Sequence, residues 1–126
     1  MIAVDTSSLR RFLSGASGDD VNAVAGAIAN RSVVLPPVVL AEMLSDKSSA
    51  QTADVLEALP LLAITDGYWA RAGRLRGRVI AAGYKAKVAD ALIAQNCLDH
   101  DVPLITNVRD FRHFVRHGLV LLKHSE

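Results

Sequence analysis

Three carboxylates, Asp5, Glu42 and Asp90, stand in this 126-residue chain where a folded domain ordinarily places apolar side chains. Asp5 follows the apolar stretch "MIAV", Glu42 interrupts "VVLAEML", and Asp90 opens "DALIA" directly after "KVA". An ionised carboxylate is costly to bury unless it is paired or bound to a cation. Acids from three distant segments, each set against an apolar wall, suggest one shared cation site. A metal-dependent enzyme is therefore the first hypothesis.

The donors are all oxygen, and no Cys–His cluster has zinc spacing. That set selects a hard cation, Mg²⁺ or Mn²⁺, over zinc. Such ions hold phosphates and can activate a water for in-line attack, so phosphodiester hydrolysis is the natural reaction class. Each acid also has a plainer reading. Asp5 could cap the helix at "TSSL", Glu42 could snorkel or pair with an arginine, and Asp90 could be a first-turn acid. Asp110 could be a loop acid before a helix, and Ser7 either hydrogen-bonds a ligating carboxylate or sits in a first helical turn. All three core acids being incidental at once is less probable than any one.

The elements that must position these groups follow from periodicity. Short apolar runs at "IAV", "SVVL", "LLAIT", "VPLIT" and "LVLL" read as about five buried strands, and helical patterns separate them. Thr6 is the expected N-cap of the first helix. Val21, Val24, Ala25 and Ile28 mark the second, with Asp19 and Asp20 in its first turn. Pro37 suits the first turn of the helix carrying Glu42, placed near its start. "SAQTADVLEAL" reads as one helix, "DGYWARAGRLRGRVIAAG" as a long one ending at Gly83, "VADALIAQNCLDH" as the most apolar, and "RDFRHFVRHG" as a short one. Uniformly apolar strands alternating with helices predict an α/β/α sandwich around a mostly parallel sheet. In such sheets ligands bind beyond the carboxyl ends of the strands, where Asp5 and Asn107 fall, with Asp110 one turn further on.

Composition agrees with a folded single domain over residues 1–126: 51% hydrophobic and 21% charged. No apolar run approaches the roughly 18 to 20 residues of a membrane span. Asp5, Arg10 and Arg11 fall where a secretory signal would be apolar, and the lone Cys97 reads as an inert core thiol, so a reducing cytoplasm is expected. Net charge is only +1, but basic residues are grouped. Arg71, Arg74, Arg76, Arg78, Lys85 and Lys87 have no acid among them, and Arg109, Arg112, His113, Arg116 and His117 form a second group. Acids in the core with cations around them suit a polyanion held over metal. Lys87, Arg109 and Arg112 are the substrate-binding candidates. Arg71, Arg74 and Arg78 at i, i+3, i+7 read first as a solvated face. Tyr68 and Trp69 read as core or interface anchors, and His113, His117 and His124 as surface residues.

"VDTSSL", "LAEML", "DALIAQNCLDHDVPLIT" and "NVRDF", in this order and at this length, resemble the PIN-domain family. More narrowly they resemble the VapC toxins of bacterial toxin–antitoxin pairs, from Val4 to about Leu122. The resemblance implies a Mg²⁺- or Mn²⁺-dependent endoribonuclease with a Rossmann-like sandwich. It also implies metal-binding roles for Asp5, Glu42 and Asp90, support from Ser7 and Thr6, and a fourth acidic or amide group after the fourth strand. RNA substrates such as tRNA or a ribosomal loop, a small cognate antitoxin and a homodimer are implied as well. The family usually has a variable residue between the threonine and the Asn or Asp after that strand. Here Thr106 and Asn107 are adjacent, which leaves the fourth position open between Asn107, by its place at the strand end, and Asp110, by its charge. Leu9, Phe12 and "DVLEAL" are dimer-surface candidates by apolarity alone.

A receiver domain needs paired acids after the first strand and a lysine near the last. Asp5 is followed by Thr6, and Lys123 is misplaced. A haloacid-dehalogenase-type phosphatase needs a second Asp where Ser7 stands. The remaining alternative is an inactive RNA- or partner-binding module on the same fold.

Overall fold

The computed structural model describes residues 1–122 apart from the side chains of Ser48 and Ser49. Lys123 and His124 lie outside the described residues. The sheet is built on β1 (Ile2–Val4), whose two neighbours are both parallel to it. Ile2 and Ala3 pair with Val33 and Val34 of β2 (Val33–Val34), and Ala3 and Val4 pair with Leu104 and Ile105 of β3 (Leu104–Ile105). The order is β2-β1-β3, and these strand residues are buried apart from half-buried Ile2, as the uniformly apolar runs require.

The expected five strands are three among the described residues. The "LLAIT" and "LVLL" runs join the two edges by one parallel bridge each, Leu35 with Leu61 and Leu104 with Leu121. The physical reason is visible at the first edge. Pro60 has no N–H to give, and the Ala63 carbonyl is taken by Asn96 Nδ2 (3.3 Å) and by His100 Nε2 (2.8 Å). Those side chains end the ladder that further pairing would extend.

Helices cover both faces. They are α1 (Thr6–Leu13), α2 (Asp19–Ala29), α3 (Pro37–Leu44), α4 (Ala53–Ala58), α5 (Tyr68–Ala81) and α6 (Val88–His100). Pro37 occupies the first turn of α3 as expected, but Glu42 sits near that helix's end, not its start. The single helix expected from "SAQTADVLEAL" is a 3₁₀ turn (Lys47–Gln51) followed by α4. Gly83 follows α5 at φ +95°, a conformation that suits glycine at a helix end. The last helical segment, Arg109–His117, is 3₁₀.

The core gathers β1–β3, Leu9, Leu56, Leu75, Ile93, Phe111 and Phe114. Leu9 is therefore no dimer surface, since it is 1% exposed. Tyr68 is a core anchor whose hydroxyl donates to the Leu92 carbonyl (2.6 Å), whereas Trp69 is 67% exposed. Arg71 is not on a solvated face: it grips Asp99 of α6. Cys97 is buried, and burial pushes its thiol up to about 12. No described helix is long and apolar enough to cross a membrane.

Candidate active site

Parallel pairing of β1 and β3 sets the residues that follow them side by side. Asp5 comes after Val4 and Thr106 after Ile105, and the Asp5 N–H is pinned to the Ile105 carbonyl (3.1 Å). Thr106 Oγ1 donates to Asp5 Oδ2 (2.6 Å) and accepts the Val108 N–H (2.9 Å). The other carboxylate oxygen, Asp5 Oδ1, accepts the Ser8 N–H (2.9 Å), so Asp5 rather than Thr6 is the N-cap of α1. Capping and a site role are compatible here, because one carboxylate has lone pairs for both.

Thr6, freed from capping, donates its hydroxyl to Glu42 Oε1 (2.6 Å) and ties α1 to α3. Asp90 lies in the first turn of α6, and Asp110 in the first turn of the 3₁₀ segment after β3. All four acids line one cleft of about 180 Å³ beyond the carboxyl ends of the strands, together with Thr6, Ser7, Lys87 and Arg10. Asn107 lies outside it, in a neighbouring concavity with Arg109 and Arg112.

The electrostatics register that convergence. Asp90 is pushed up to about 6, by burial first and then by the charges of Asp5, Asp110 and Glu42, against the lowering effect of Lys87. Asp5 is also raised, by burial first, against the lowering effect of its bonds from Thr106 and Ser8, with a repulsive contribution from Asp20. Like charges gathered in one half-dry cleft resist joint ionisation, which is the condition a bound cation relieves.

Among the described residues no three His, Cys, Asp or Glu groups lie close enough to share one ion. Hydrogen bonds from Ser8, Thr106 and Thr6 hold the Asp5 and Glu42 oxygens instead. The donor set nevertheless fits a hard divalent cation. It is oxygen-only and multiply negative, and among the described residues no salt bridge ties Asp5, Glu42, Asp90 or Asp110 to a cation.

Residues 2–116 match the PIN domain. The chain belongs to the PIN-domain family. Two solved PIN-like neighbours carry the same fold along their whole length. A chain of VapBC2 from Rickettsia felis, bound to a DNA fragment from its promoter, is 20% identical with a TM-score of 0.73, covering 100% of both chains. A chain of FitAcB from Neisseria gonorrhoeae is 16% identical with a TM-score of 0.71, covering 98% of this chain and 97% of that one. No curated protein matches the chain.

Beside this PIN-domain cleft lie residues that sequence reading passed over. Ser8 bonds Asp5 through its N–H and Asp20 Oδ2 through its hydroxyl (2.8 Å), and Arg11 Nε holds the same Asp20 oxygen (3.0 Å). Ser8, three residues after the capping acid, was a readable cap signal. Asp20 had none, since an acid in the first turn of a helix is usually solvated. Arg10 was hidden in the same way, as one of two adjacent arginines on an amphipathic helix.

Proposed function

We propose that this PIN domain is a Mg²⁺- or Mn²⁺-dependent endoribonuclease, acting in the cytoplasm as the toxin of a toxin–antitoxin pair. The observation that carries the reading is the meeting of Asp5, Glu42, Asp90 and Asp110, from four separate segments, in one cleft at the carboxyl edge of a parallel sheet. The ion's ligands would be drawn from these four acids, which do not stand within reach of one ion as they are placed here. The ion would supply charge neutralisation for the scissile phosphate and a water activated for in-line attack. Asp110 is the fourth carboxylate on this reading, because it faces the cleft and Asn107 does not.

The chain's own residues do the positioning. Thr106 and the Ser8 N–H fix both oxygens of Asp5, and Thr6 fixes Glu42, so ligand atoms are oriented before anything binds. Ser7 faces the cleft beside them. Lys87 brings the cleft a positive charge next to the acids, and Arg109 and Arg112 flank it, which suits an RNA backbone. A tRNA or ribosomal RNA is the substrate class proposed. A small cognate antitoxin and a second copy of the chain are the proposed partners, in keeping with the VapBC2 and FitAcB likeness in fold.

The test is cleavage of total cellular RNA by the purified chain with Mn²⁺ or Mg²⁺, with EDTA, and with Asp90→Asn. Discrete fragments that vanish with EDTA and in the variant support the reading. Folded, inhibitor-free protein that cuts nothing with either metal would replace it with an RNA- or partner-binding module.

A further inference from the structure

Two cations line the acid cleft, Lys87 and Arg10, and Arg10 belongs to a contact repeated one helical turn apart. Thr6 and Arg10 stand at i and i+4 on α1. Glu42 and Asp46 stand at the same spacing along α3 and just past its end. The inner rung is the Thr6–Glu42 hydrogen bond at 2.6 Å. The outer rung is a two-pronged ion pair, with Arg10 Nε donating to Asp46 Oδ2 at 2.8 Å and Nη2 to Oδ1 at 3.2 Å. Its side chains are 51% and 32% exposed, so as a strut it contributes little to stability.

The outer rung holds Arg10 on the wall that the acid cleft shares with its neighbour, its fork occupied by Asp46. Arg10 and Asp46 also wall a second concavity of about 260 Å³, with Met43, Gln51 and Leu13. On the opposite flank, Val108 is shared between the acid cleft and a third concavity of about 280 Å³ bearing Arg109 and Arg112. The three hollows adjoin through Arg10 on one side and Val108 on the other, so that the acids lie between Arg10, paired with Asp46, and the Arg109–Arg112 pair. A fork that fits a carboxylate with two parallel bonds fits a phosphodiester in the same way.

We propose that Arg10 is a substrate-binding residue, gripping the phosphate that flanks the acid cleft on the α1–α3 side, with Asp46 holding the fork in readiness. This rests on the ribonuclease reading for the identity of the strand, and it adds a subsite and a direction to that reading. The bound strand runs from Arg109 and Arg112, past Lys87 and the acids, to Arg10. Asp46 is displaced when the phosphate arrives, because both compete for the same donors.

The experiment uses the full chain carrying Asp90→Asn, so that RNA binds without being cut, and a fluorescein-labelled single-stranded RNA 12-mer with Mg²⁺. Affinity is read by anisotropy across a salt series. Arg10→Ala should weaken binding about tenfold at low salt and flatten the log–log salt slope by about 0.7, one single-strand phosphate contact. Asp46→Asn loses the same ion pair but keeps the guanidinium, so it should bind as tightly or tighter with an unchanged slope. A mere strut would make the two variants alike. Equal weakening in both, or a slope unmoved in Arg10→Ala, would overturn the proposal. Should Arg10→Ala fail to fold, Asp46→Asn with Arg10→Lys still decides, since Lys keeps the charge and loses the fork. Parallel cleavage assays on the Asp90 parent judge the ribonuclease reading separately. RNA cut equally well by Arg10→Ala sinks the subsite alone, and an uncut substrate with an Arg10-dependent slope sinks the nuclease alone.

Discussion

Two pairs of acids, Asp5 and Asp20 buried, Asp90 and Asp99 half-buried, share this small domain and are handled in opposite ways. Asp20 and Asp99 each sit in the fork of an arginine from a neighbouring helix, Arg11 and Arg71. Burial raises both, but those arginines, helped by Ser8 for Asp20 and by Gln95 and Thr65 for Asp99, bring them below the ordinary carboxylate value. Asp5 and Asp90 receive hydroxyls, a backbone N–H or a loosely placed lysine instead, and both are pushed up. Arg10 lines the cleft, but its ion pair is with Asp46 and not with any of the cleft's four acids. Carboxylates paired with arginine hold helices together, while those of the cleft carry no arginine partner among the described residues, which is what the proposed cation site asks of them.

The largest effect that would sharpen this contrast is on catalysis. On the proposed ribonuclease reading, Asp90→Asn should lower metal-dependent RNA cleavage by a factor on the order of 10³, measured as initial rate, since it would remove a metal ligand. Loss of activity with a lower melting temperature would instead point to simple unfolding.

Next comes stability against pH. Asp90 titrates at about 6 in the folded chain against 3.8 as its ordinary value, so between those values the native state binds the extra proton. Stability from this group therefore falls as pH rises from about 4 to about 6 and stays reduced above. In metal-free buffer, Asp90→Asn should gain on the wild type across that window, to a plateau of about 1 to 2 kcal/mol once a two-unit shift is discounted for a half-buried, partly screened carboxylate. Urea midpoints at pH 4 and pH 7.5 measure it, and a gap that narrowed with rising pH would have the wrong sign.

The paired acids should behave in reverse. Arg11→Ala leaves Asp20, 4% exposed, without its counter-ion and should cost about 2 kcal/mol at pH 7. Because burial without Arg11 pushes Asp20 up rather than down, the loss should shrink as pH falls, beginning above the ordinary value of 3.8 and continuing below it. Smallest is Thr106→Val, which keeps the shape but removes the donor to Asp5 and the acceptor for the Val108 N–H. A cost of about 1 kcal/mol in thermal unfolding is expected. A rise in the pH at which Asp5 ionises, read by NMR of its carboxyl carbon, should accompany it.

Much of this was legible in the chain. The helices of "VADALIAQNCLDH" and "DGYWARAGRLRGRVIAAG" stand where the sequence pattern set them, because α5 buries one stripe, Tyr68, Ala72, Leu75 and Val79, and α6 is buried on several sides. The parallel α/β class followed from uniformly apolar strands. Strand extent was less readable. "LLAIT" is apolar enough for a strand, yet Leu61 and Ile64 are 46% and 43% exposed, and α6 side chains take its carbonyl. Arg71 looked solvated because helical spacing cannot reveal that Asp99, 28 residues later, comes to meet it. The fourth site position was undecidable from "TNVRD", and only the 3₁₀ turn after β3 directs Asp110 to the cleft and Asn107 away.

By itself the sequence determined which residues could do chemistry and that they lay at the ends of buried runs, since a carboxylate against an apolar wall is conspicuous in one dimension. What the tertiary structure decided is which acids are left without an arginine. Asp20 in a first helical turn and Asp90 in another are the same residue in the same local setting. Their difference lies in whether packing brings a guanidinium or three more carboxylates alongside. That depends on distances of a few ångströms between segments far apart in the chain, to which local propensity is blind.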